Sequence, residues 1–172
     1  LYTASTLSQP TAVRYPRGVG PGVPVHGPLQ ALPIGKAEVR RNGHHGAAIL
    51  AFGSMVAAGE HIADEHDMTL VNMRFVKPLD EKTILAVARK HRAIVTLEEN
   101  VVAGGAGSAV AESLAAAGLT LPILHLGLPD RFIEHGSRED CLAAAGLDTP
   151  TLEARILRWW REHHGANVQL SA

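Results

Sequence analysis

The sequence predicts a three-layer α/β/α domain on a mostly parallel sheet of about five strands, one of them antiparallel. Three observations carry this expectation. Apolar, β-branched runs recur at Ala47–Phe52, Thr69–Met73, Ala93–Leu97 and Leu121–Leu126, with helix-spaced segments between them. These runs are almost unbroken in apolar residues, as strands covered on both faces must be. Apolar residues make up 46% of the chain and aromatics only 4%, so small side chains dominate and let helices approach a sheet closely.

The elements follow in order. Residues 1–18 end in an extended segment, where Pro16 keeps Tyr15 out of a helix. Residues 19–36, rich in glycine and proline, read as a linker and entry strand running over a surface. Ala37–Arg41 predicts a short strand and Asn42-Gly43 a tight turn, so that this strand and Ala47–Phe52 are expected to pair as an antiparallel hairpin. Met55–His66 has helical spacing, with Met55, Val56 and Ile62 inward. Asp80 is a good N-cap for a helix over Glu81–His91, whose Ile84, Leu85, Val87 and Ala88 share a face. Gly105–Ala117 predicts an Ala-rich helix stopped by Gly118. Pro122 places the start of the last strand near a sheet edge. Ser137-Arg138-Glu139-Asp140 resembles a capping box opening a helix at Cys141–Ala145. Pro150 suits a first helical turn, after which Leu152, Ile156, Leu157, Trp159 and Trp160 form one apolar face. The main domain is expected over 37–164, followed by a flexible tail at 165–172.

Composition removes several classes of function. The 172 residues carry a formal net charge of -1, which offers neither nucleic acid nor an anionic membrane an attractive field. One cysteine, Cys141, allows no disulfide framework and no cysteine-based metal site. Neither a membrane-spanning run nor a signal peptide is visible, so the expected location is the cytoplasm.

Polar residues gather at three strand ends: Ala12–Gly18, Arg74–Asp80 and Glu98–Ser108. In open α/β sheets that edge is where ligands and partner domains dock. Arg17, between Pro16 and Gly18, has a guanidinium fork suited to a phosphate or carboxylate, or it is a solvated surface arginine. Gly105-Ala106-Gly107-Ser108-Ala109-Val110 imitates a dinucleotide fingerprint, but Val110 replaces the third glycine and the next strand closes on His125-Leu126 instead of an acid. It reads as close helix–sheet packing with room for an anion at the helix start. Glu98 and Glu99 are adjacent, so they diverge where a catalytic pair would converge. One is expected as a helix or interface cap and the other as solvated. Ser54 lacks the flanking glycine of a nucleophile elbow. The ten histidines show no metal-ligand spacing: His61 and His66 miss a shared helical face, and His163-His164 fall in the polar tail.

Together these runs resemble the C-terminal part of the 1-deoxy-D-xylulose-5-phosphate synthase family. The resemblance rests on Ala12–Gly18, Leu32–Lys36, Val71–Asp80, Thr96–Asn100, Gly104–Ser108, Leu126–Ile133 and His135-Gly136, and covers Leu1 to Trp160 in order. Arg14-Tyr15-Pro16-Arg17-Gly18 with Arg74–Asp80 separates it from the related transketolases. The resemblance implies a transketolase C-terminal domain-like fold. It implies part of a transferase that uses thiamine diphosphate and Mg2+ to condense pyruvate with glyceraldehyde 3-phosphate, releasing CO2, at the entry to isoprenoid and thiamine biosynthesis. It also implies a homodimer in the full-length enzyme. Residues 1–18 would be the tail of the preceding pyrimidine-binding domain. Only Arg17 carries over as a substrate contact, to the aldehyde's phosphate; no catalytic, cofactor or metal residue does. The chain alone is therefore expected to be inactive and to bind no cofactor. Two alternatives stand beside this: an independent anion-binding or regulatory module, and the C-terminal domain of a 2-oxoacid dehydrogenase β-subunit, against which the Arg14–Gly18 run argues.

Overall fold

Every residue of strand β2 (Ala47–Ala51) is buried, because β2 lies at the centre of a five-stranded sheet. The computed structural model describes residues 1–18, 20, 22, 24 and 26–164, so the tail expected at 165–172 lies outside the described residues. The other strands are β1 (Glu38–Arg41), β3 (Thr69–Asn72), β4 (Ala93–Val101) and β5 (Ile123–Leu128), in the sheet order β1-β3-β2-β4-β5. Strands β2 to β5 run parallel, and β1 joins β3 antiparallel at one edge.

Alternation along the strands builds the three layers. Ile49, Ala51, Val95 and Leu97 face one side, where α2 (Val56–Glu65) brings Ile62 and α6 (Thr149–His164) brings Leu152 and Ile156. Ala48, Leu50 and Ile94 face the other, against Ile84 and Val87 of α3 (Glu81–Ala88) and Val110 and Leu114 of α4 (Ala106–Ala116). Full burial of each such Ile, Leu or Val contributes about 1.5–3 kcal/mol. A single turn, α1 (Tyr2–Ser5), and α5 (Arg138–Ala144) complete the helices.

The caps act where the sequence places them. Asp80 is 5% exposed and accepts from the Thr83 amide and hydroxyl, capping α3. It also accepts from the Ala37 amide, so one carboxylate ties α3 to the entry of β1. Ser137 Oγ accepts from the Asp140 amide and caps α5, which begins at Arg138, three residues before the expected Cys141. Pro150 lies in the first turn of α6 as expected.

The hairpin expected from Asn42-Gly43 does not form. Strand β3 inserts between β1 and β2, and the connection from β1 to β2 crosses the start of β3. There Gly43 donates its amide to Thr69 Oγ1, and a Cβ at this position would overlap the backbone of Asp67 and Met68. The glycine serves close approach and not a two-residue turn. The physical reason is burial. With both faces covered, β2 is most stable between two parallel neighbours, while β1, half polar, belongs at an edge. There Arg40 pairs with Glu60, and Arg41 with Asp64 and Asp67. The last strand starts at Ile123 and not Leu121, and β4 runs four residues past Leu97.

At the amino-terminal edge of the sheet, Trp160 lies 4.5 Å from the His45 ring and 4.0 Å from the His164 ring, with Arg92 over its face. His163 and His164 thus belong to α6 and not to a polar tail. The Ala47 amide donates to His45 Nδ1, which puts the neutral ring's proton on Nε2. Burial, then the charges of His66 and His164, push the His45 pKa down despite Asp67, and burial and Arg92 lower His164. A histidine whose folded value lies below its unfolded one resists protonation in the native state. Its stability contribution is complete above the unfolded value of about 6.5 and is lost as pH falls toward the lowered folded value. The melting temperature is therefore expected to drop between pH 7.5 and pH 5.5, and His45→Gln to flatten that drop. Equal pH slopes in the two proteins contradict the assignment.

Candidate functional site

The carboxyl end of β4 collects the polar groups that the sequence singled out. Glu98 and Glu99 lie within the strand, and the pairing between β4 and β5 is irregular between Leu97 and Val101. Successive side chains of an extended strand leave opposite faces, so the two carboxylates serve different layers.

Glu98 turns toward α4 and is 3% exposed. Its carboxylate accepts the amides of Ala106 at 2.8 Å and Gly107 at 2.7 Å, two of the unpaired donors at the start of α4. The negative charge also lies at the positive end of the helix dipole. The anion at this glycine-rich helix start is thus the chain's own Glu98. A Cβ on Gly105 would overlap the Glu98 carboxylate and the Val101 carbonyl, and one on Gly107 would come within 2.6 Å of Thr96 Oγ1 and His125 Nδ1. The glycines are required because a side chain and a strand occupy the space that a ligand phosphate would need.

Glu99 turns to the other face. Its Oε2 accepts Ser54 Oγ at 2.5 Å and Arg138 Nη2 at 2.6 Å, and its backbone carbonyl accepts Arg14 Nη2 at 2.7 Å. The expectation of one cap and one solvated carboxylate therefore holds for Glu98 as the cap and fails for Glu99. With its side chain 22% exposed, Glu99 is the centre of a cluster drawn from β4, the 3-10 turn Gly53–Met55, α5 and the Arg14 run. Burial alone would raise the Glu99 pKa. The hydrogen bonds from Arg138 and Ser54, with the charges of Arg138 and Arg14, outweigh it and hold the carboxyl below its usual range.

Arg17 is exposed, and among the described residues it takes part in no hydrogen bond or ion pair. Its neighbour Gly18 comes close to the cluster, since a Cβ there would lie 3.8 Å from Arg138 Cδ. Reasoning from sequence weighed Ser54 only as a nucleophile and gave Arg14 and Arg138 no role in a site. Ser54 and Arg138 stand 45 and 39 residues from Glu99, and no spacing rule links them. The histidines have separate partners: His66 bonds Glu153, His91 joins Val87 and Thr69, and His125 meets Thr96. Among the described residues no three His, Cys, Asp or Glu side chains are grouped to hold a metal ion, and no helix is long and apolar enough to cross a membrane.

Known proteins resemble this chain closely. The model of the transketolase C-terminal domain family matches residues 35–152. A 1-deoxy-D-xylulose-5-phosphate synthase from Thioalkalivibrio sulfidiphilus is 58% identical over 156 residues, covering 91% of this chain and 24% of that protein. One from Xylella fastidiosa is 51% identical over all 172 residues and 27% of its own length. The chain thus spans about a quarter of the curated relatives it matches. Among solved structures, a split-gene transketolase, described as an inactive β4 tetramer, superposes with a TM-score of 0.69 at 31% identity, covering 80% of this chain and 46% of that one. A transketolase from Campylobacter jejuni shares the fold, with a TM-score of 0.51 at 19% identity over 78% of this chain and 20% of that one.

Two outcomes follow from the paired carboxylates. Glu98→Ala strands two buried amides and is expected to destabilise the domain by about 1–3 kcal/mol in urea unfolding. For Glu99 the folded pKa lies below the unfolded one, so its contribution is complete above about pH 4.3 and is lost as pH falls through the folded value. The stability gap between wild type and Glu99→Gln, measured by thermal melts, should be present at pH 7 and shrink below pH 4. A gap independent of pH contradicts the charge-based account.

Proposed function

The chain belongs to the transketolase C-terminal domain family, and we propose that it forms the C-terminal part of a 1-deoxy-D-xylulose-5-phosphate synthase. The observation that carries this reading is 51% identity to such a synthase across the full 172 residues. In this reading residues 1–18 are the end of the preceding pyrimidine-binding domain, 19–36 the linker and entry strand, and 37–164 the C-terminal domain. The whole enzyme, a cytoplasmic transferase and a homodimer, condenses pyruvate with glyceraldehyde 3-phosphate and releases CO2. Arg17 contributes a guanidinium fork for the aldehyde's phosphate.

The residues present do not fit thiamine diphosphate or its magnesium. The amides at the start of α4, the glycine-rich anion cradle that the sequence suggests, are taken by Glu98. No metal-holding group stands among the described residues. In this reading cofactor and metal are held by domains outside this chain, and no step of the reaction is assigned to residues here. The contribution of residues 37–164 is structural, in support of the dimer, and the upstream run at 1–18 carries Arg17. A split-gene transketolase of similar fold, described as an inactive tetramer, fits a part that cannot react alone.

The test is CO2 release from pyruvate and glyceraldehyde 3-phosphate, with thiamine diphosphate and magnesium supplied. Turnover is expected from the polypeptide extended upstream and none from the 172 residues alone. Turnover by the short chain contradicts the reading. In the active protein, Arg17→Ala should raise the aldehyde KM by roughly 10- to 100-fold, as for a lost charge-assisted contact of about 1.5–3 kcal/mol, and leave the pyruvate KM nearly unchanged. An unchanged aldehyde KM removes Arg17 from the phosphate site.

A further inference from the structure

We propose that Glu99 is a positioning residue that clamps the Arg14–Gly18 run against the sheet and so fixes where Arg17 presents its guanidinium. The proposal rests on the reading of Arg17 as the phosphate-binding arginine, and it gives the C-terminal domain an indirect part in recognising the aldehyde.

One end of the run bonds the cluster and the other lies beside it. Arg14 Nη2 donates to the Glu99 carbonyl at 2.7 Å, across 85 residues of sequence. At the other end, a Cβ on Gly18 would lie 3.8 Å from Arg138 Cδ, and Arg138 is paired with the Glu99 carboxylate at 2.6 Å. Between them stand Tyr15, Pro16 and Arg17. Proline fixes its own φ and restricts the residue before it, so holding the two ends sets the direction of the segment between. Ser54 holds the same Glu99 oxygen from the 3-10 turn after β2, which leaves the carboxylate little freedom.

Charge makes the clamp depend on Glu99. Arg14 bonds the Glu99 carbonyl and Arg138 its carboxylate, whose charge acts on both arginines. Neutralising it removes the partner of Arg138 and the negative charge that acts on Arg14, and the run is then held less firmly.

The test uses the full-length protein carrying this chain, with Glu99→Gln and Arg14→Met. Arg14 is exposed, so its substitution does not threaten folding. In each variant the aldehyde KM should rise roughly tenfold, as for about 1.4 kcal/mol of lost binding, with kcat and the pyruvate KM unchanged. Glu99→Gln keeps the carbonyl that Arg14 bonds and removes the charge that holds Arg138, so the double variant should be at least as impaired as either single one. Amide hydrogen exchange at residues 12–18 should quicken in both variants, a readout independent of turnover. An unchanged aldehyde KM with unchanged exchange at 12–18 overturns the proposal. So does a parallel loss of kcat and of affinity for both substrates, which marks a general structural role. If the wild-type protein turns over neither substrate, the functional reading fails by itself, and the exchange data alone decide whether the clamp exists.

Discussion

Two neighbouring carboxylates on an extended strand cannot converge, because the pleat sends successive side chains to opposite faces. At the end of β4 this constraint places Glu98 under the start of α4 and Glu99 against Ser54, Arg138 and Arg14. Much of the rest depends on that divergence. One carboxylate fastens a helix layer to the sheet, and the other gathers an upstream run, a 3-10 turn and α5 at the edge where α/β sheets present ligands.

The same constraint settles what the glycine-rich segment is for. A strand followed by Gly104-Gly105-Ala106-Gly107 and a helix has the local form of a phosphate cradle. The helix needs a negative partner at its amino end, and Glu98 supplies it from within the chain. Glycine is then demanded by the close approach of Thr96, Glu98 and His125 to the helix backbone. Internal satisfaction of this kind rigidifies the joint and closes it to outside anions.

The fold was legible in proportion to burial. Ala47–Ala51, Thr69–Asn72 and Ala93–Leu97 announce themselves because strands covered on both faces must be apolar throughout. Asp80 and Ser137 were legible as caps because capping is a local event, decided within four residues. The hairpin was not. Asn42-Gly43 has the right chemistry for a turn, yet the pairing of β1 depends on which strand offers a free edge, and that is a property of the whole sheet.

The site divides along the same line. The sequence alone determined the strand and helix segments, the caps, the divergence of Glu98 from Glu99 and the candidacy of Arg17, since each follows from neighbours in the chain or from residue chemistry. Tertiary structure decided that β3 enters between β1 and β2, that Glu98 fills the helix start, and that Ser54, Arg138 and Arg14 meet at Glu99. The physical reason is range. Backbone geometry and capping act over a few residues, whereas contacts between residues 39, 45 and 85 positions apart exist only once the sheet has brought its carboxyl ends together.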